Sequence, residues 1–478
     1  MVTARGAVLR DGRADALRVW WDALRVHRQG PAAIHTRQRE RLADQVAFAR
    51  EHSAFYRDLY HGLPERVDDA TMLPVTDKRQ LMARFDDVLT DPAVRRADVE
   101  AFVADPARIG TRFAGKYLVA TTAGTTGTRG LFVLDDRYWA VASGMMAQLG
   151  GDWLSPIQLV RLMVRGGRFA TVVATGGHFL SVAAGTRERR EKPRRHRRLR
   201  IFSVHWPMSE LVAGLNLVRP VLLLAYASVL RLLATEQESG RLSLQPMLVV
   251  STAEGLPPGE RERIQRAFSA PVREVYGCTE SSYAAASCTR GWLHLLEDWL
   301  ILEPVDADYR PVPPGVVSHT VLMTNLANRV QPILRYDVGD RVLMKPDACE
   351  CGNPAPALKV EGRASDVLTF PAADRQGHVA VPPLALGTVI DRTPGVELFQ
   401  IAQSAPTRLS VRLLPEPGAD PDQVRRSVVE GLAALLTSLG LAHVAVDADA
   451  VPPQQSAGGK FRTVIPLPPT SAQKSPPA

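Results

Sequence analysis

Residues 247–276 read MLVVSTAEGLPPGERERIQRAFSAPVREVY. Met247–Val250 is a short, wholly apolar run, the kind a buried strand gives. Pro257 and Pro258 stand just before Gly259–Phe268, and proline suits the first turn of a helix, so a helix is expected there. Val272–Tyr276 is a second strand. Strand, helix and strand in one stretch predict parallel strands with a helix laid across the sheet. Upstream, Leu159–Val164 and Ala170–Ala174 are strand-like, and Met208–Leu217 and Ala227–Glu236 read as helices. The expected fold class is therefore α/β, a parallel sheet with helices on its faces. Leu300–Tyr309 and Ser318–Thr324 add a β-rich section.

Nearer the start the pattern is helical. Ala14–Val26 is one helix; Ile34–Ser53, with Leu42, Val46 and Phe48 set among charges, is an amphipathic second, which Phe55–Tyr60 continues. Asp77–Phe85 reads as a helix capped by Thr76, and Arg137–Leu149 as another. The composition shifts near Ser365. Beyond it Val396–Gln403, Leu409–Leu414, the helix Asp422–Leu439 and Val444–Val446 form an α+β unit. The expected division is a large domain over 1–365, a small mobile domain over 366–465, and a Pro/Ser-rich disordered tail over 466–478.

Composition narrows the class. The chain has 478 residues, enough for a large domain and a small one, and 45% of them are hydrophobic. Four cysteines are too few for a disulfide framework, which predicts a reducing, cytoplasmic setting. Arg5, Arg10, Asp11 and Arg13 interrupt any secretory apolar core. The longest apolar run, Pro220–Ala234, is too short to span a bilayer and contains Arg231, and no membrane partner is expected. The net charge of +8 suits anionic partners. Much of it lies in Arg187–Arg200, read as a solvated loop; docking of phosphates or an acidic partner is the alternative.

The stretch Tyr117–Gly130, YLVATTAGTTGTRG, is a candidate phosphate site. A strand runs into glycines and hydroxyls and resumes at Leu131-Phe-Val-Leu. Thr121, Thr122, Thr125 and Thr126 offer donors, while Gly124 and Gly127 let backbone N–H groups close on an anion. A polar hairpin turn is the plain alternative. Four further stretches accompany it: Val275-Tyr-Gly-Cys-Thr-Glu280, Arg335-Tyr-Asp-Val-Gly-Asp-Arg341, Glu361-Gly-Arg-Ala-Ser-Asp366 and Ser456-Ala-Gly-Gly-Lys-Phe-Arg462.

In order and spacing these five resemble the adenylate-forming superfamily, in particular its phenylacetate–CoA ligase-like and coenzyme F390 synthetase-like branch. The likeness runs from about residue 36 to 465. It implies ATP-dependent activation of a carboxylic acid as the acyl-adenylate, with Mg²⁺, then transfer to CoA. Transfer to an amine or a carrier protein, or adenylylation of a hydroxyl, is the alternative. The rival from another class is a non-catalytic binder of nucleotide or nucleic acid; the presence together of Lys460, Glu280 and Asp340 argues against it, so no nucleic-acid partner is expected.

The resemblance assigns roles. Tyr276 and Gly277 lie against adenine, with Thr252 and Ala253 on its edge. Thr279 meets the α-phosphate and Glu280 holds Mg²⁺. Asp340 takes the ribose hydroxyls, with Asp337 its local competitor, and Arg363 reaches ribose or phosphate. Asp366 is the hinge, after which the chain departs from the family pattern. Lys460 neutralises charge between the acid and the α-phosphate. His178 is a candidate for the acid pocket, with a satisfied structural histidine as the alternative. Cys288, His294, Cys349 and Cys351 form two ligand pairs suited to a structural Zn²⁺, as in some members of this branch. Cys278 is read as a small buried filler.

Overall fold

The computed structural model describes residues 12–122, 130–192, 198–256, 259–363, 367–373, 377–381, 386–387, 389–390, 393–455 and 462–467. It opens with helices α1 (Gly12–His27) and α2 (Pro31–His52). The expected continuation of α2 is interrupted. Ser53 is extended, and its Oγ accepts the Tyr56 N–H to cap a separate α3 (Ala54–Leu59). The segment Asp77–Phe85 also divides, into α4 (Lys78–Ala83) and α5 (Phe85–Val88), followed by α6 (Arg96–Ala104). The cap of α4 is Asp77, not Thr76: Asp77 and Gln80 form a reciprocal capping box. Thr76 is buried and donates its hydroxyl to Leu334 O at 2.9 Å. A sequence cannot tell which of two adjacent capping residues faces the core.

Strands β1 (Leu118–Thr121) and β2 (Leu131–Leu134) pair antiparallel, as the hairpin reading expects. The long helix α7 (Asp136–Trp153) follows, then α8 (Pro156–Val164). Leu159–Val164 is thus helical, against the strand expectation. Pro156 at the first helical position and a Ser155–Gln158 capping box start a helix that apolar content alone does not reveal.

The α/β section runs β3 (Phe169–Val173), α9 (Leu180–Glu191), β4 (Leu199–Ser203), α10 (Met208–Val218), β5 (Leu222–Tyr226), α11 (Ala227–Glu238), β6 (Leu248–Thr252), α12 (Glu260–Phe268) and β7 (Val272–Tyr276). It continues with β8 (Ala285–Ser287), β9 (Leu293–Leu295), β10 (Leu300–Val305), β11 (Thr320–Asn325), β12 (Ile333–Asp337), β13 (Asp340–Met344) and β14 (Ala357–Arg363). Nine of these strands form one sheet, ordered β13-β14-β9-β8-β7-β6-β5-β3-β4. Its β4, β3, β5, β6 and β7 are mutually parallel, and the rest are antiparallel. Val172, Leu223, Val249, Ile264 and Val272 are among the residues of its core, 0% exposed. Strands β10, β11 and β12 make a second sheet. The N-terminal helices pack on it, and Tyr56 donates its hydroxyl to Pro332 O at 2.8 Å. The strand expected over Leu300–Tyr309 ends at Val305, where Asp306 accepts the backbone N–H groups of Asp308 and Arg310 and turns the chain.

Arg187 corrects the solvated-loop reading of Arg187–Arg200. It belongs to α9, is 2% exposed, and pairs with Asp136 at 2.5 Å and Glu191 at 3.1 Å. Burial works against the Asp136 charge, yet Arg112 and Arg187 together hold its carboxyl below the usual range. Residues 193–197 of that run lie outside the described residues.

After β15 (Leu368–Pro371) and β16 (His378–Val381) comes a four-stranded sheet, ordered β19-β18-β17-β20. It comprises β17 (Val396–Ala405), β18 (Arg408–Pro415), β19 (Ala445–Asp449) and β20 (Val464–Ile465), with α13 (Pro421–Ser438). This unit has its own core, in which Val428, Leu432 and Leu436 of α13 meet Ile401, Leu409 and Val411. Residues 468–478 of the expected tail lie outside the described residues. Among the described residues, no helix is long and apolar enough to cross a membrane.

Candidate functional site

Strands β6 and β7 are parallel neighbours, so Thr252 and Tyr276 finish at the same, C-terminal end of the sheet. Such strand ends are the usual seat of ligands in parallel sheets. Ala253 follows Thr252 with φ of +67°, an uncommon conformation for a residue with a Cβ. The next residue, Glu254, accepts the Ser228 N–H at the start of α11 at 2.9 Å, which anchors the bend.

The Tyr276 hydroxyl donates to Asp340 Oδ2 at 2.8 Å. Asp340 is buried at the first position of β13, and its register partner across the strand pair is Arg363, the last residue of β14. Three separate sequence stretches thus meet at one point. Asp337, the competitor for the role of Asp340, is committed to its own turn. It accepts the Gly339 N–H at 2.9 Å and the hydroxyls of Thr320 and Tyr309.

Gly277 owes its place to crowding, not to a positive φ. A Cβ built there would stand 2.2 Å from Ser282 O, a backbone atom that cannot move aside alone. Gly277→Ala is therefore expected to displace the Tyr276–Glu280 turn and reduce turnover by roughly tenfold or more, as misplacement of a binding loop does. Steady-state kinetics beside a thermal melt will check this; wild-type turnover in the variant would mean that the turn yields freely.

Glu280 is buried, and its Oε1 accepts the Tyr336 hydroxyl at 2.8 Å. Burial and the adjacent Glu280 carboxylate push the Tyr336 phenol far up, so it remains a donor. Among the described residues, no cation pairs with Glu280. Asn325 holds the Glu280 carbonyl at 3.0 Å, and Thr279 beside it is half-buried. Tyr336 escaped the sequence reading although it sits inside the quoted Arg335–Arg341 stretch. Strand alternation points it away from its neighbours Arg335 and Asp337, and that was the available signal. Burial also raises the Cys278 thiol well above its ordinary value, though the residue is half-buried rather than the fully buried filler expected.

At the hairpin, the Thr121 N–H donates to His178 O at 2.7 Å, and Thr122 Oγ1 accepts the Gly130 N–H at 2.8 Å. His178 is itself buried, with Nε2 at 3.2 Å from Asp105 O and its ring 5.2 Å from that of Phe102. A narrow cavity of mixed polarity is lined by Tyr138, Val141, Met145, Ser281, Asn325 and Trp299 among others; His178 is not among its lining residues. Gly124, Thr125, Thr126, Gly127, Asp366 and Lys460 lie outside the described residues.

Cys288, His294, Cys349 and Cys351 converge, their ligand atoms all within 4.8 Å of one another. Cys288 Sγ is 3.8 Å from Cys349 Sγ, and Cys351 Sγ is 3.3 Å from His294 Nε2. A tetrahedron with Zn–S bonds of about 2.3 Å has sulfur–sulfur edges of about 3.8 Å. His294 Nδ1 lies 2.8 Å from Ala355 O, which suits an Nδ1–H donor and leaves Nε2 turned to the cluster. The N–H groups of Arg290 and Asn353 donate to Cys288 and Cys351, as around thiolates. Strand pairing made this possible: β9 carries His294 opposite Ala357 of β14, just beyond the Cys349–Cys351 loop.

No family model matches the chain. Its fold, however, is that of the adenylate-forming CoA ligases. The structure overlays a crystal structure of 2-hydroxyisobutyryl-CoA ligase in the post-adenylation state, bound to an acyl-AMP, with a TM-score of 0.65 at 19% identity, covering 92% of this chain and 90% of that one. The same ligase in its thioesterification state, with 2-HIB-AMP and CoA, matches with a TM-score of 0.53 at 20% identity, covering 91% and 89%. In sequence, 114 residues are 30% identical to a phenylacetate–coenzyme A ligase of Thermus thermophilus. That alignment takes in 23% of this chain and spans 25% of the length of the curated relative.

Proposed function

We propose that this protein activates a carboxylic acid with ATP as the acyl-adenylate, releasing pyrophosphate, and then transfers the acyl group to CoA. The observation that carries this reading is the hydrogen bond from Tyr276, at the C-terminal end of the parallel strands, to the buried Asp340, in a fold shared with a ligase crystallised with an acyl-AMP. Asp340 offers a carboxylate for the ribose hydroxyls, and Tyr276 a ring for adenine. Thr252 and Ala253 supply backbone beside it. The hairpin residues 121–127 cradle the outer phosphates, with Thr279 at the α-phosphate and Arg363 at ribose or phosphate. Glu280, buried beside a hydroxyl and, among the described residues, with no cation paired to it, suits a Mg²⁺ ligand, which would offset charge on the phosphates. The cysteines and histidine fit a closed structural Zn²⁺ site with no open position.

The proposed division is a large domain over 1–365 and a small one over 366–465, with Asp366 as hinge and Lys460 entering the cleft for adenylation. Arg231 Nη2 donates to Glu397 O, and Thr235 Oγ1 to Glu397 Oε1, both at 2.6 Å. These bonds tie α11 to β17 and would have to open for the small domain to turn toward thioester formation.

ATP–pyrophosphate exchange across a panel of acids, followed by thioester detection with CoA, tests the reading. Acid-dependent exchange is expected, and its absence over a broad panel would remove the proposal. Lys460→Ala should lower the exchange rate by roughly 100-fold or more, since a charge acting mainly in the transition state is worth about 3–4 kcal/mol, while ATP binding persists. Equal exchange rates would end that role for Lys460.

A further inference from the structure

Helix α8 is an exposed apolar ridge that the candidate site does not use. It contains no buried residue, and Ile157, Val160, Met163 and Val164 are 66%, 63%, 61% and 81% exposed. Ile157, Val160 and Val164 recur at helical spacing and share one face. Leu217, near the end of α10, is 86% exposed. Isolated exposed apolar residues are ordinary, but a cluster on two turns of one helix marks a surface that something covers.

The ridge lies at the N-terminal ends of the parallel strands. Through Gly166 and Gly167 it leads directly into β3. Arg165 Nη2 donates to Gln245 O at 2.7 Å, just ahead of β6. Arg168 Nε donates to Arg219 O at 3.1 Å, just ahead of β5. Thr252 and Tyr276 end the opposite, C-terminal side of the same strands, roughly 15 Å away along a five-residue strand. A body seated on the ridge therefore leaves the site open.

Arginines rim it. Arg161, Arg165, Arg168, Arg198 and Arg219 are all exposed, and among the described residues none of them forms an ion pair. The acids at the end of α11 are already taken: Glu236 by Arg241 at 2.6 Å, and Glu238 by Arg263 at 2.8 Å. A shallow depression beside the ridge, lined by Gln158, Arg161, Val164, Arg165, Pro246 and Pro271, offers a seat for an anionic group.

We propose that this face docks on an anionic lipid surface. Apolar side chains on a projecting helix enter the boundary between headgroups and acyl chains, and the surrounding arginines meet the headgroup charge. A second copy of the chain fits worse, because symmetric pairing would set these arginines against one another. A headgroup layer deforms around a convex ridge, so it needs no matching groove.

Co-sedimentation with vesicles tests this on the full chain. Binding is expected to phosphatidylcholine vesicles containing roughly one-third phosphatidylserine, at least about tenfold stronger than to phosphatidylcholine alone, and weakening with salt. The paired changes Val160→Glu with Val164→Glu, and Arg161→Glu with Arg198→Glu, should each weaken it by about tenfold or more. Both pairs are exposed, so the thermal melt should hold. Failure of the wild type to sediment with the anionic vesicles, or unchanged binding by both double variants, overturns the proposal. So does a dimer in solution that Val160→Glu with Val164→Glu splits without lipid binding, which would assign the face to self-association. The readout is binding alone, independent of whether the acid is adenylated.

Discussion

Asp340→Ala is expected to raise the KM for ATP by roughly 100-fold, because hydrogen bonds to a charged group are worth about 1.5–3 kcal/mol each and two ribose hydroxyls would lose their acceptor. The structure adds a second loss. Asp340 also accepts the Tyr276 hydroxyl, so the variant removes that hydrogen bond as well. Two controls separate these effects. Tyr276→Phe keeps the carboxylate and a flat ring, and should cost far less than Asp340→Ala. The wild type should prefer ATP over 2′-deoxy-ATP, and Asp340→Ala should lose that preference. A variant that keeps both a low KM and the discrimination would move the ribose role elsewhere. Asp337 would be a poor substitute, since its oxygens already hold Gly339, Thr320 and Tyr309.

Cys349→Ser is expected to release bound zinc and to lower the melting temperature by about 5–10 °C, given roughly 2–4 °C per kcal/mol for a domain of this size and a metal that contributes several kcal/mol to folding. Cys349 is buried, and its thiol lies 3.8 Å from that of Cys288. The cluster ties the β8–β9 turn to the loop between β13 and β14. One of those strands begins with Asp340, so activity should fall through misplacement of the nucleotide edge. Elemental analysis of protein purified without added metal decides the matter. About one equivalent of zinc in the wild type and much less in the variant is expected. Less than about a tenth of an equivalent in the wild type, with a melt indifferent to chelator, would leave four reduced cysteines and a structural histidine.

The amino-acid sequence by itself determined β3, α10, α11, β6, α12 and β7, because a short apolar run and a proline-started helix are local features, while α9, β4 and β5 between them were not read from it. It determined the hairpin β1–β2 and the composition of the C-terminal unit for the same reason. It also put Tyr276, Glu280 and Asp340 among the residues worth watching, through the order of five motifs. Tertiary structure alone decided what local pattern could not. Leu159–Val164 is an exception, since its helix is started by Pro156 and the local Ser155–Gln158 cap, which a reading by apolar content passes over. Thr76 gave up the cap of α4 because its hydroxyl was needed inside the core. Arg187, one charge in a basic run, is buried because Asp136 and Glu191 converge on it in space. Gly277 is glycine because a carbonyl five residues on folds back against it. The pairing of Tyr336 with Glu280, and of Tyr276 with Asp340, joins strands far apart in the chain. Each of these depends on which face of an element meets which neighbour, and that is fixed only when the sheets and helices pack together.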